Sequence, residues 1–415
     1  MSQPTEDDLE YYFAFNLKLL SLVGFKCSLD KKEKGLGFVN KLPSYIMCIQ
    51  GTILSLFEVY LLRDIYKDED KTVVMQVLSQ GVENTLNVCK GFFLAYSIER
   101  MENVLQEIKF LWNTYRPSPD NRKIILAEAQ QTYSYCKIYF CVLASCCTSY
   151  FLCYLPALLY TFTMYFSKLA QQYRDRQANN YTYDFSQRLL LLKYPFDIPS
   201  IPIYFLVELQ EGFYLFYAAA LFFVSGDTLF AQTVTHICLQ FKILKFDIDA
   251  MFNPENTGEK DHLNLVTFVK RHRDLLRVCA LIEEVFSPII LSMMLLSSIA
   301  LCVDLVGIRG TMEKNNYEET AVVITLMMLT LLQILFYCTF AEKITEETRS
   351  LADTMYGCNW TMKNNKLGLY IHLMILRAQK PFQCTAYGFF PIGHSQLTTI
   401  INTAFSYYMM LQTTS

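Results

Sequence analysis

Ser395, Thr398, Thr399, Asn402, Ser406 and Thr413 recur in a carboxyl-terminal stretch that holds no Asp, Glu, Lys or Arg after Pro391. Hydroxyls and a carboxamide can bind water or an ion by hydrogen bonding. Without an adjoining base, however, a Ser or Thr is not an activated nucleophile. At about 100° per residue, counted from Ser395, these six positions fall within about 60° of one line, together with Met409 and Met410. Leu397, Ile400, Ile401, Ala404, Tyr408 and Leu411 fall on the far side. Polar groups in hydrocarbon are costly unless they meet partners or water. The stripe therefore has two readings, one wall of a water-filled pore ringed by several helices or polar glue between packed helices.

Other reactive side chains form no constellation. The five histidines (236, 262, 272, 372 and 394) show no paired helical spacing with an acid, and His236-Ile237-Cys238 is too sparse for zinc. Gly35-Leu36-Gly37 lacks the third glycine and the preceding strand of a nucleotide loop. Neither catalysis, a metal nor a cofactor is expected. Of the 14 cysteines, most lie in apolar stretches, where small packing residues are expected.

The elements that must carry the stripe are apolar. The 415 residues are 53% hydrophobic, 15% aromatic and only 18% charged, against about a quarter charged in soluble domains. A net charge of −3 argues against a nucleic-acid partner, which would want a basic face. The opening MSQPTEDDLE is acidic, unlike the basic start of a signal peptide. Seven stretches reach the length of about 20 apolar residues needed to span a bilayer. They run over 43–62, 73–98, 137–166, 203–226, 285–308, 320–341 and 389–412. Helices, not closed sheets, fit their length. The expected fold is an all-α membrane protein of seven transmembrane helices.

Lys and Arg number 24 in segments 1–42, 99–136, 227–284 and 342–388, against 10 in the alternate set. The charge rule places the first set, with the amino terminus, in the cytoplasm and the carboxyl terminus outside. The sequon Asn180-Tyr181-Thr182 then lies outside and is a glycosylation candidate, whereas Asn359-Trp360-Thr361 lies inside. The three external loops hold no cysteine, so no external disulfide is expected. A G-protein-coupled receptor has the opposite orientation, no Asp-Arg-Tyr follows span three, and the one Asn-Pro, Asn253-Pro254, lies in a loop. No inverted repeat favours a transporter.

Beyond span four, GDTLFAQTVTHICLQFKILKFDID reads as an amphipathic helix with Lys242 and Lys245 at its wet end. LVTFVKRHRDLLRVCALIEEVF and residues 345–380 supply further amphipathic stretches. Together they predict a packed cytoplasmic helical layer. Within the spans, Glu83 and Lys90 lie seven apart on nearly one face and are expected to pair. Glu58, Glu208, Glu211 and Asp304 are further acids that must find partners or water, and Asp227 is placed at the cytoplasmic boundary.

Four segments carry a resemblance. They are YPFDIP (Tyr194–Pro199), GDTLF…H…QF (Gly226–Phe241), HRDLL…IEEVFSP (His272–Pro288) and W…LRAQKP…GFFPI…F…FSYYMMLQ (Trp360–Gln412). In order and spacing they resemble the insect odorant receptors across nearly the whole chain. The resemblance implies an odorant-gated, nonselective cation channel in the plasma membrane of olfactory sensory neurons. It also implies a tetramer in which a tuning subunit assembles with a shared co-receptor. The short loop Phe252–Asp261 resembles that of a tuning subunit. A metabotropic seven-helix chemoreceptor and a self-sufficient homotetramer are the alternatives.

The implied layout has a cytoplasmic segment 1–42, spans one to six over 43–341, anchor helices over 342–388 and a pore helix over 389–415. Its pore face carries Ser395, Thr399, Asn402, Ser406, Met409, Met410 and Thr413, with the gate at Met410. The family's pocket for small volatile odorants lies in the outer half of spans two, three, four and six. Depth and helical facing place there Gln80, Asn84 and Asn87; Ser149, Tyr150 and Cys153; Tyr204, Phe205 and Glu208; and Tyr317, Ile324 and Thr325. Permeating cations and the lipid bilayer are the other expected partners.

The charge asymmetry makes a direct prediction. An epitope at residue 1 is expected to stain only after permeabilisation, and Asn180→Gln to remove a glycan seen as a mobility shift. Surface staining of the intact cell would reverse the assigned orientation.

Overall fold

In the computed structural model, residues 8–25, 27, 29, 38–65, 71–172, 190, 192–196, 201–215, 217, 222–251, 258–358 and 365–414 are described. Ten helices follow in order: α1 (Leu9–Leu22), α2 (Phe38–Ile65), α3 (Lys71–Thr114), α4 (Pro119–Gln172) and α5 (Ile201–Leu215). The remaining five are α6 (Val224–Met251), α7 (Gly258–Glu313), α8 (Tyr317–Gly357), α9 (Asn365–Ala378) and α10 (His394–Thr414). The described residues hold no strand beyond an isolated bridge, Thr385 to Pro391. Segments Leu42–Ile65, His262–Glu313 and Glu319–Gly357 are each long and apolar enough to cross a membrane. The sequons at Asn180 and Asn359, and Asn253-Pro254, lie outside the described residues.

Length explains the two-storey shape of this bundle. At 1.5 Å per residue, the 56 residues of α7 run about 84 Å, far more than the roughly 30 Å of a hydrocarbon core. Helices α3, α4 and α8, with 44, 54 and 41 residues, also exceed that core. Their surplus lengths pack with α1 and α9 around α6, which is the axis of the layer.

Every residue from Phe222 to Phe241 is buried, so this part of α6 is enclosed on all sides and not amphipathic as its sequence suggested. Its threonine hydroxyls are satisfied inside the helix or by a neighbour, whereas the Gln232 and Gln240 carboxamides are buried without a hydrogen-bond partner among the described residues. Thr228 and Thr233 donate to carbonyls four residues back, at 2.7 and 2.9 Å, and Thr235 pairs with Thr132 of α4 at 3.2 Å. His236 lies among the rings of Tyr12, Phe13 and Trp112 and donates from Nδ1 to the Gln232 carbonyl at 2.8 Å. Burial lowers its pKa to about 4, so the ring is neutral and packs as an aromatic that holds α1 to the layer. Only beyond this stretch do Lys242 and Lys245 reach the rim. There Glu128 accepts from Lys343 and Lys242, and Glu347 accepts from Lys245, at 2.6–2.8 Å.

The deepest polar contact centres on Asp227. Its Oδ1 accepts from Lys90 Nζ at 2.8 Å and Tyr337 Oη at 2.7 Å. Its Oδ2 accepts from Tyr139 Oη at 2.9 Å and Gln333 Nε2 at 3.0 Å. One carboxylate thereby joins α3, α4, α6 and α8, with Lys90 also lying over the Phe223 ring at 3.7 Å. This corrects two expectations. Lys90 takes Asp227 rather than Glu83 as its partner, while Glu83 accepts from Thr330 Oγ1 at 2.8 Å. Asp227 is likewise a buried junction and not a wet boundary residue.

Removing one charge from a buried pair typically costs about 3–5 kcal/mol, because the other is left uncompensated. Asp227→Asn is therefore expected to lower the melting temperature in detergent and the amount at the cell surface. Adding Lys90→Met is expected to restore much of both, since the amide oxygen still accepts from the tyrosines. Equal melting of Asp227→Asn and parent would show that the junction carries no stability.

Candidate functional site: the exposed face of α10 and the polar interior

A tight turn sets the start of α10. The Ala386 and Ile392 N–H groups donate to Phe390 O and Cys384 O at 3.1 and 2.8 Å. Tyr387 and Gly388 take left-handed φ angles of 51° and 74°. Ser287 of α7 clamps this turn, donating to Thr385 O at 3.1 Å and accepting from the Tyr387 N–H. The turn aims α10 back along α7 and α8, which it meets through Leu397, Ile400, Ala404 and Tyr408.

The opposite face, which carries the polar stripe, is open. Ser395, Thr399, Asn402, Ser406, Met409 and Met410 are all exposed; the side chain of Thr413 lies outside the described residues. Thr399, Asn402, Thr403, Ser406, Tyr407 and Met410 line a shallow groove of about 470 Å³. Thr403 and Tyr407 escaped the sequence reading because they fall at about 80° and 120° from Ser395, beyond the stripe as drawn. Ile401, assigned to the packing side, is instead exposed, as is Phe405. Both sit where α10 turns away from α7 and α8, so the polar stripe is flanked by uncovered apolar side chains.

The hydroxyls on this face share one orientation. Thr398, Thr399, Thr403 and Ser406 each donate to the carbonyl four residues earlier, at 3.2, 3.0, 2.7 and 2.8 Å. With the proton turned inward, each oxygen presents lone pairs outward. These four oxygens thus form a column of acceptors, beside the Asn402 carboxamide, which can both donate and accept.

The pocket candidates divide into two groups. Asn84 is buried and donates to Glu58 Oε2 at 3.3 Å, Ser55 Oγ at 2.9 Å and Gly51 O at 3.2 Å, while accepting from Tyr214 Oη. Gln80 donates to Glu58 Oε1 at 3.0 Å. The structure therefore unites these two with Ser55, Glu58 and Tyr214 between α2, α3 and α5, partners that helical facing on single spans could not supply. Gly51 permits the approach, since a Cβ there would overlap the Tyr214 hydroxyl and Val88. Tyr204 and Glu208 are buried on α5, and Phe205 and Asn87 are half-buried.

Ser149, Ile324 and Thr325 are exposed, and Tyr317 is 73% exposed with its hydroxyl toward Asn315 at 3.5 Å. These four do not join the cluster. Tyr150 and Cys153 lie on α4, but their side chains are outside the described residues. Among the described residues no group of His, Cys, Asp or Glu is arranged to hold a metal.

The described residues thus form an all-helical bundle with apolar spans, an internal polar network and one helix with an open polar face. The comparisons name the class. A family described as "7tm Odorant receptor" matches residues 71–405, and the chain belongs to that odorant receptor family.

Relatives include Odorant receptor 13a of Drosophila melanogaster, 24% identical over 201 residues, covering 45% of this chain and 48% of that protein. The Odorant receptor coreceptor of Anopheles gambiae is 23% identical over 163 residues, covering 38% of this chain and 34% of the coreceptor. The chain thus aligns with half or less of these curated relatives. The fold is shared with the insect olfactory receptor OR5 from Machilis hrabei, solved alone and in complex with eugenol. The TM-score is 0.77 at 16% identity, over 98% of this chain and 99% of that one.

Asn84 offers a test of the interior. Asn84→Leu keeps the volume but strips donors from Glu58 and the acceptor from Tyr214, and a buried unpaired polar group costs about 1–3 kcal/mol. A lower melting temperature is expected than for Ser149→Ala, on an exposed face. Equal melting of the two variants would show that the cluster does not hold α2, α3 and α5 together.

Proposed function

We propose that this chain is the odorant-binding subunit of a ligand-gated, nonselective cation channel, with α10 lining the pore in a heterotetramer with a co-receptor. The observation that carries the reading is the division of α10. One face packs on α7 and α8, while the opposite face, from Ser395 to Met410, stays open with its hydroxyl oxygens turned outward. In lipid such a face is unfavourable; around a shared water-filled axis it is satisfied. Exposed Ile401 and Phe405 on one flank and Tyr407 on the other suit contact with neighbouring pore helices.

The same reading sets seven spans, a cytoplasmic amino terminus and an external carboxyl terminus. It places the chain in the plasma membrane of olfactory sensory neurons. Segment 342–388 serves as anchor between subunits, and residues 389–415 as pore segment. Small volatile odorants bind in the outer half of the bundle, where Gln80, Asn84, Tyr204 and Glu208 supply polar and aromatic groups beside apolar surface.

Met410 forms the gate. It is apolar and exposed on the polar face, one turn beyond Ser406, and a ring of such side chains closes a narrow pore by excluding water. Met410→Ala and Met410→Ser are expected to raise current in the absence of odorant at equal surface expression, and Met410→Asp to alter ion selectivity. Expression with a co-receptor is expected to give odorant-evoked current, and expression alone little or none. Robust current from the chain alone would replace the heterotetramer by a self-sufficient channel. Unaltered basal current and selectivity in all three Met410 variants would move the gate elsewhere, Met409 first.

A further inference from the structure

Helix α10 begins without a cap of its own. Gly393 is its N-cap, for its carbonyl accepts from the Gln396 and Leu397 N–H groups at 3.1 and 3.3 Å. A glycine has no side chain to accept from the first free N–H groups, which a Ser, Thr, Asp or Asn at this position would do. The missing acceptor comes from another helix. Glu342 Oε2 of α8 accepts from the His394 N–H at 3.3 Å, and its negative charge sits at the positive end of the α10 dipole. A Cβ on Gly393 would overlap that same carboxylate oxygen. Glycine at 393 therefore leaves room for the cap supplied by α8, and a side chain at 393 that capped its own helix would displace the Glu342 carboxylate from its present place.

The position of Glu342 along α8 adds meaning to this bond. Upstream on the same helix, Thr330 reaches Glu83, and Gln333 and Tyr337 reach Asp227. One continuous helix thus links the buried polar network to the first turn of α10. We infer that Glu342 is a positioning residue that transmits movement of α8 to α10, and that glycine at 393 lets this cap come from α8 and not from α10 itself. The inference rests on the reading of α10 as the pore helix.

A self-capping variant separates transmission from mere capping. The complex with co-receptor is prepared with the parent chain, Glu342→Ala, Gly393→Ser and the double variant. Hydrogen exchange reports the first turn of α10. Loss of one cap is expected to speed exchange there about fivefold in Glu342→Ala, and the serine hydroxyl introduced by Gly393→Ser is expected to slow it again in the double variant. Currents, basal and evoked by eugenol or 1-octanol, report gating at matched surface expression. Glu342→Ala, Gly393→Ser and the double variant are all expected to show a maximal evoked current reduced about threefold or more. In the last two the cap is present but the link to α8 is not.

Recovery of parental currents in the double variant would overturn the inference, leaving Glu342 as a helix cap only. Parental exchange and parental currents in Glu342→Ala would overturn it as well. Failure of the pore reading looks different. The parent with co-receptor would then give neither basal nor evoked current, or thiol reagents would leave current through Asn402→Cys unchanged, whatever the exchange data show.

Discussion

One buried carboxylate organises this molecule. Asp227 receives an ammonium, two phenol hydroxyls and an amide from three helices while standing on a fourth. An isolated charge at that depth would be prohibitive, and an ion pair alone barely offsets its own desolvation. The additional neutral donors change the balance, because each lone pair that faces a proton needs no water. Lys90 is held in turn by the Phe223 face as well as by the acid. The junction also dictates geometry. Its donors come from α3, α4 and α8, so these helices cannot slide past α6 without breaking several bonds at once.

From that constraint the enclosure of α6 follows. In a helix surrounded by α1, α3, α4, α7 and α8 a short hydroxyl side chain finds its nearest acceptor on its own backbone, which explains why Thr228 and Thr233 bond back to their own helix. It also explains the neutrality of His236, whose lowered pKa of about 4 reflects the lack of water around a ring caged by three aromatics. An unfolded His titrates near 6.5, so the folded layer loses stability as pH falls through that value towards 4, while neutral pH leaves it intact. The rim beyond, with Lys242, Lys245, Glu128 and Glu347, marks where solvent returns.

Sequence periodicity captured what depends on one helix alone. The open face of α10 was legible because the choice between packed and polar sides is a property of that helix's own 100° repeat, and only the flanks, Ile401, Thr403 and Tyr407, were misplaced or missed. Partnerships across helices were not legible. Glu83 and Lys90 shared a face in sequence, yet Lys90 reached a residue 137 positions away. The α6 stretch read as amphipathic because Gln232, His236 and Gln240 look like a wet face; burial of such residues depends on five other helices. Of the pocket candidates, Gln80 and Asn84 are joined through Glu58, whereas Tyr317, Ile324 and Thr325, assigned by depth like the others, lie exposed.

On the proposed reading of α10 as a pore helix, its chemistry bears on how a pore without acids could favour cations. Rings of carboxylates are one means of selecting cations, but none lies on this face. A hydroxyl can act either as donor or as acceptor, and a stripe of freely rotating hydroxyls would favour neither sign of charge. Here the helix makes the choice. Because Thr399, Thr403 and Ser406 commit their protons to backbone carbonyls, the outward sides of these oxygens carry only lone pairs, the groups that replace water around a cation. Such a wall attracts cations weakly and binds none tightly, and it does not distinguish ions by size. On that reading, weak and nonselective cation passage is what this backbone-fixed hydroxyl orientation would support, and the orientation follows from placing Thr and Ser in a helix, where the carbonyl four residues back lies within reach of the side-chain hydroxyl.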